Sequence, residues 1–486
     1  MFFRNYRNIQ IRFSGKVLRP DYSEWAIVFV TAIASFISAF DMSVVNIVLP
    51  VISKSMNASV GDVSLSVTVY LLVLSGLILS LGRIGDFIGF KKIFLIGFVI
   101  FAIGSLLCGF SFSIQFLIIS RIIQAIGGAM FTAVGPAIIT TAIPKQKRGK
   151  SLGFQVSLSA LGFATGPGIG GLCSEFLGWR WIFFLNIPIV ILGIYFGRKY
   201  LPDITKNVGL RHFDLFGMMA SFVCIASLLL GFSLYQVPGT SDSTLLLCFV
   251  VGCIALCAFI ISEKRSKHPL IYPGIFRNKN FTLGVISCIV VMALFSGVTY
   301  LLPYYLIGFR KLDPILSGLI MTAPAVMSII VAPISGWLAD INGSRMVSIG
   351  CIIITIIAFF LFSTLNDTTG ILVIVVYLII MRFSTTAFSS PNGRLIMSSC
   401  PQGAEGNASG ILMTARYAGM NAGIALFQTI FAVRMYIEGV PRDGTPLVGR
   451  ITHAMSLTGY QTVYLVAMVL AALTLILVLY TRDETQ

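Results

Sequence analysis

Gly82-Arg-Ile-Gly-Asp86-Phe-Ile-Gly89-Phe-Lys91 returns further along the chain as Gly336-Trp-Leu-Ala-Asp340-Ile-Asn-Gly343-Ser-Arg345. The offset from Gly82 to Gly336 is 254 residues. Each copy closes one long apolar run and precedes another. A second pair comes later in the same order: Pro144 and Arg148-Gly149 match Pro401 and Glu405-Gly406, an offset of 257. At that offset Gly162 and Gly166 fall on Gly419 and Gly423. Two related halves in parallel order are a plan used by membrane transporters, which hold their cargo near the midplane between the halves.

The apolar runs around these motifs fix the class. Of 486 residues, 57% are hydrophobic and 11% charged, with a mean hydropathy of +0.93. A soluble domain carries roughly 25% charged residues, so lipid must solvate part of this surface. In lipid only helices and closed barrels satisfy their own backbone. The runs are continuous and about twenty residues long, which predicts helices. The expected spans are 26–50, 64–82, 93–112, 115–143, 152–174, 181–200, 215–234, 244–262, 281–308, 315–340, 346–364, 370–396, 407–435 and 460–480. The expected fold is an all-α polytopic membrane protein of 14 transmembrane helices. Its parts are an N-terminal segment (1–24), a six-helix bundle (25–200), a linker with two inserted helices (201–280) and a second six-helix bundle (281–486).

Charge predicts the orientation. Arg4, Arg7, Arg12, Lys16 and Arg19 precede the first span. Lys91, Lys92, Lys145, Lys147, Arg148, Lys150, Arg198, Lys199, Lys264 and Arg265 fall on the same face, and the opposite loops are poorer in cations. The richer face is expected to be cytoplasmic, with both termini on it because the span count is even. The formal charge of +16 is spread over short loops, which argues against a nucleic-acid partner. The first 24 residues are basic and lack an apolar h-region, so no cleavable leader is expected. Phe2, Phe3, Tyr6, Ile9 and Phe13 belong either to a short helix on the inner leaflet or to a basic tail.

Other signals are weak. Nine dispersed cysteines contain no CxxC, and His212, His268 and His453 are scattered, so no metal site is expected. Gly166, Gly168 and Gly171 match GxGxxG formally, but inside an apolar helix with no βαβ context. No GxxxxGK[ST] is present.

The chain resembles the major facilitator superfamily, in its fourteen-helix drug:proton antiporter branch. The Gly82–Lys91 stretch looks like that family's loop 2–3 signature. Asp41-Met-Ser-Val-Val-Asn46-Ile-Val-Leu-Pro50 looks like its first-helix motif, Arg121-Ile-Ile-Gln124-Ala-Ile-Gly127-Gly128 like its fourth-helix motif and Gly162-Phe-Ala-Thr-Gly166-Pro167-Gly168-Ile-Gly170-Gly171 like its antiporter motif. Gly178-Trp-Arg-Trp181-Ile-Phe-Phe-Leu-Asn186 is similar to the segment that comes after the antiporter motif in members of this branch. Phe87 and Phe90 stand where the signature is usually basic, which thins the charge network there. The resemblance implies alternating access, a cell-membrane location and no enzymatic activity. It implies no cofactor beyond a proton gradient, and protons, the bilayer and a small amphiphilic cargo as partners.

Asp41 lies about 22 Å along the first span at 1.5 Å per residue. A carboxylate there costs at least ~2.5 kcal/mol on insertion scales, so it is expected to face water or a partner. It either loads and releases a proton or pins the first helix to a neighbour. The resemblance favours coupling, with Arg121 as partner. Arg382 and Arg416 are read as cations satisfied by carbonyls or snorkelling. Gly82, Asp86, Gly89, Lys91, Arg148 and Asp340 are assigned to a cytoplasmic gate; a carboxylate suits a helix N-terminus, and the resemblance implies that Asp86 meets the start of the thirteenth span. Gly162, Gly166 and Gly170 form one flat packing face, kinked by Pro167 and expected to meet the tenth span around Ala325 and Ala332. Met42, Asn46, Tyr70, Gln124, Gln155, Tyr300 and Tyr304 are assigned to the cavity wall by residue type alone. The expected function is proton-coupled efflux of small amphiphilic drugs or toxic compounds. The alternatives are an exporter of an endogenous metabolite or lipid-like anion, and a transporter-like membrane sensor.

Overall fold

A computed structural model describes residues 11–13, 22–206, 215–234, 241–265, 273–366, 368–400, 405–438 and 453–482. In chain order the elements are β1 (Ile11–Phe13), α1 (Tyr22–Met56), α2 (Val60–Ile88), α3 (Phe90–Gly109), α4 (Ile114–Ala142), α5 (Lys145–Phe176), α6 (Trp181–Phe184), α7 (Asn186–Tyr200), β2 (Ile204–Lys206), α8 (Leu215–Leu234), α9 (Asp242–Arg265), α10 (Lys279–Pro303), α11 (Pro314–Asn342), α12 (Ser344–Ser363), α13 (Ile371–Ser398), α14 (Glu405–Ile437) and α15 (His453–Leu479). A π-helical turn, Tyr304–Phe309, continues α10 after Pro303, where the missing N–H of proline interrupts the regular ladder.

Among the described residues twelve helical stretches are long and apolar enough to cross a membrane, α6 and α7 together making one of them. Two shorter apolar stretches, Phe216–Gly231 in α8 and Pro314–Ser328 in α11, lie at the places of the two other expected spans. The molecule is an all-α polytopic membrane protein. Among the described residues a two-stranded antiparallel ribbon departs from this, in which Ile11 faces Lys206 and Phe13 faces Ile204. A helix over Phe2–Phe13 is thus overturned at Phe13, where pairing with the segment after α7 satisfies the backbone. Phe2, Phe3, Tyr6 and Ile9 lie outside the described residues.

Local chemistry sets the helix ends. α1 runs six residues past its expected end, because Pro50 is tolerated within it, and stops before Asn57 at φ 49°. Asn is one of the few residues that enters this left-handed region readily. Ser59 and Ser113 cap α2 and α4, accepting from the backbone N–H of Asp62 at 3.0 Å and of Phe116 at 3.2 Å. Gly89 separates α2 from α3 at φ 105°, and Gly343 separates α11 from α12 at φ 84°. The duplicated motif therefore makes the same backbone break twice, at a φ that a side chain would strain.

The repeat is also visible in the packing. In the first half α1 packs on α5, α3 on α4 and α2 on α4; in the second α10 packs on α14, α12 on α13 and α11 on α13. The halves meet along two seams, α5 against α11 and α2 against α14, which correspond to each other under the repeat. α8 lies against both α2 and α14, and α9 against α8. Leu246, Leu247, Ile254 and Ile261 of α9 are exposed, a surface suited to lipid rather than water.

Candidate functional site

The polar centre of the first half is built around Asp41, which is fully buried on α1. Arg121 of α4, 1% exposed, donates through Nη1 to Asp41 Oδ2 at 2.6 Å. One turn along the same helix, Gln124 Nε2 donates to Asp41 Oδ1 at 2.8 Å and to Ser105 Oγ of α3 at 2.8 Å. Asn186, the first residue of α7, donates to Asp41 Oδ1 at 2.9 Å. The carboxylate thus accepts from three side chains on two helices, and charge-assisted bonds of this kind are about twice as strong as neutral ones.

Arg121 is held from every side but one. Its Nη1 also reaches Gln124 Oε1 at 2.5 Å, its Nε points to the Ser66 carbonyl of α2 at 3.4 Å, and its Cζ lies 4.1 Å from the Tyr70 ring centroid. Its Nη2 has no partner among the described residues. The side chain borders a small cavity between the halves, lined by Met42, Asn46, Tyr70 and Phe163 from one and Phe295, Thr299 and Met420 from the other. Asn46 Oδ1 is also unpartnered. A buried, neutralised ion pair therefore sits at the wall of an inter-half cavity with spare polar atoms beside it.

The other residues assigned to the cavity wall lie elsewhere. Gln124 belongs to the carboxylate network. Gln155 of α5 donates to the Thr31 carbonyl of α1 at 3.4 Å. Tyr300 accepts from Gln428 Nε2 at 2.5 Å, with the Tyr304 ring 5.5 Å away. Residue type selects polar or aromatic side chains in apolar helices, but it does not say which of several neighbours a face meets.

The glycine stripe of α5 also faces a different neighbour from the expected one. A Cβ on Gly162 would meet the Phe36 carbonyl, one on Gly166 Ser43 Oγ and Val44 N, and one on Gly170 Ile47 and Val44. All of these are on α1, inside the same half. The next stripe makes the seam instead: Gly168 faces Thr322, Gly171 faces the Pro314 carbonyl, and Gly318 of α11 faces the Pro167 carbonyl. Small residues on both sides let the two backbones approach closely. The side chains of Ala325 and Ala332 lie outside the described set.

At the duplicated motif, Gly85 is closely covered by Phe90 and Val134, and Lys91 sits half-buried in the first turn of α3. The side chains of Asp86, Arg148 and Asp340, and residues 401–404 before α14, lie outside what is described, so the gate contacts expected of them do too. Polar groups missed in the sequence include Asn421 of α14, fully buried, which donates to the Thr68 carbonyl of α2 at 2.9 Å across the second seam. Its only signal was an amide within an apolar helix. Among the described residues no three His, Cys, Asp or Glu side chains gather to hold a metal ion.

Comparison with known proteins agrees with this architecture. The model of the family described as Major Facilitator Superfamily matches residues 31–424. The chain belongs to the Major Facilitator Superfamily. Within that superfamily it is 30% identical over 409 residues to the riboflavin transporter RibZ of Clostridioides difficile, covering 84% of this chain and 88% of the relative. It is 26% identical over 411 residues to the putative multidrug resistance protein MdtD of Escherichia coli, covering 84% and 86%. It is 24% identical over 411 residues to the tetracenomycin C resistance and export protein of Streptomyces glaucescens, covering 85% and 76%. This member of the Major Facilitator Superfamily is a multi-pass membrane transporter, and these relatives are not enzymes.

Proposed function

We propose that this protein exports small amphiphilic compounds in exchange for protons, by alternating access across the cell membrane, with both termini cytoplasmic. The observation that carries the reading is the buried Asp41–Arg121 pair at the cavity wall. A proton on Asp41 removes the charge that holds Arg121 Nη1 and releases a cation whose Nη2 is already unpartnered. Loss of the proton re-forms the pair. The carboxylate thereby links protonation to the shape and charge of the cavity. The names of the relatives from Streptomyces glaucescens and Escherichia coli, tetracenomycin C export and multidrug resistance, support drug-like cargo. The riboflavin relative supports a second reading, an endogenous metabolite as cargo on the same machine.

The test is a compound panel on everted vesicles, scored by cargo-induced proton release, followed by proteoliposome transport of any compound that scores. Asp41→Asn should bring gradient-driven transport down to the level of empty vesicles while exchange of labelled for unlabelled cargo continues. Gradient-driven transport at the wild-type rate in Asp41→Asn would remove Asp41 from coupling. Binding without movement of any compound would favour a membrane sensor.

A further inference from the structure

Beyond the Asp41 centre, the inter-half space continues into a second small cavity whose wall includes Arg382 of α13. Eleven residues along the helix from Ile371, Arg382 stands about 17 Å from its end at 1.5 Å per residue. A cation at that depth costs ~2.5–3.5 kcal/mol on insertion scales unless something compensates it. Arg121 has Asp41. Arg382 has no carboxylate: among the described residues its one acceptor is Ser328 Oγ, 2.7 Å from Nε.

The rest of the guanidinium is held by its face. Its Cζ lies 4.3 Å from the Phe295 ring centroid and 4.8 Å from that of Phe163, and those rings are 5.3 Å apart across the halves. Cation–π contact of this kind fixes the plane of the group. It leaves the edge that carries Nη1 and Nη2 as the available hydrogen-bonding fork. That fork matches two oxygens of a carboxylate, sulfonate or phosphate. The rest of the wall is mostly apolar, with Val298, Leu302 and Leu378 beside Thr299, and suits a hydrophobic body attached to such a group. The expectation that Arg382 is satisfied by carbonyls or snorkels does not fit a guanidinium stacked between the two halves, whose one acceptor among the described residues is a hydroxyl.

We propose that Arg382, set on Phe163 and Phe295 in the inter-half cavity, is the recognition site for the acidic group of an amphiphilic organic anion. This deepens the transport reading and rests on it, since it names the class of cargo. Because Phe163 belongs to α5 and Phe295 to α10, the site is assembled from both halves. An anion bound there supplies the counter-charge that Arg382 lacks among the described residues.

Equilibrium binding isolates this proposal from coupling. The full-length protein in nanodiscs is titrated with dansylglycine, which carries a carboxylate, and with dansylglycinamide, its neutral counterpart, with empty nanodiscs subtracted. The wild type should bind the acid about tenfold tighter than the amide. Arg382→Gln should abolish that preference, and Arg382→Lys should keep part of it. No proton gradient acts across a nanodisc, so the wild-type preference should stand whether or not protons drive transport, and failure of the coupling scheme and failure of the anion site give different results. Equal binding of acid and amide to the wild type, an undiminished preference in Arg382→Gln, or no measurable binding of the acid would each overturn the proposal.

Discussion

At the scale of single residues, the two deep arginines differ in their neutralisation. Arg121 and Asp41 are a charge pair removed from water, and such a pair contributes little net stability while the loss of one member is expensive. Asp41→Asn should therefore destabilise the protein by about 3–5 kcal/mol, because Arg121 keeps its charge and loses its partner. Asp41→Asn/Arg121→Gln, which removes both charges, should recover most of that loss while remaining uncoupled. Thermal unfolding in detergent measures both, and a double variant no more stable than the single one would mean that the pair is not the unit described. Asp41 was legible in the sequence because a carboxylate in an apolar run is costly wherever it points. Arg382 was visible on the same ground, but that no carboxylate meets it among the described residues was not, since this depends on every helix around it. Asn186 was legible only as part of a motif; its bond to Asp41 joins residues 145 positions apart.

At the scale of elements, α5 uses its two small-residue stripes on two different neighbours. The four-residue spacing of Gly162, Gly166 and Gly170 revealed a flat face, but helical period gives a face and not its partner, and both α1 and α11 pack on this helix. A side chain at Gly166 would meet Ser43 and the α1 backbone, whereas one at Gly153 of the same helix has nothing within 4 Å. Gly166→Val should cost about 1–3 kcal/mol by overpacking. Gly153→Val should lie within about 0.5 kcal/mol of wild type, the usual range for sites without such contacts. Melting temperatures of the two variants settle the comparison, and equal losses would contradict the close α1–α5 approach. The same reasoning covers the helix ends: caps such as Ser59 and the turns at Gly89 and Gly343 are local and readable, but the run of α1 beyond Pro50 is set by what surrounds it.

At the scale of the whole molecule, alternating access requires the α5–α11 seam to open and close. A Cβ on Gly168 would lie 3.9 Å from the Cβ of Thr322, inside the separation that a disulfide spans. In a background with the native cysteines replaced, G168C/T322C should cross-link under oxidation, stop transport and regain it on reduction. Full transport by the oxidised pair would show that this seam stays closed through the cycle. The other seam, α2 against α14, has α8 lying on it, so the inserted helices leave the two sides of the molecule unlike. The pairing of helices in the two halves was legible from the repeat, and the all-α polytopic class from length and composition. The place of α8 was not, because a wholly apolar helix carries no mark of which surface it covers. Sequence order has a further consequence for biogenesis. Asp41 and Arg121 lie 80 residues apart, and at 5–20 residues per second a ribosome takes about 4–16 s to cover that distance. During that interval α1 must enter the membrane with a carboxylate whose guanidinium has not yet been made. Slow codons between positions 41 and 121 lengthen that exposure, and rapid synthesis of this stretch shortens it.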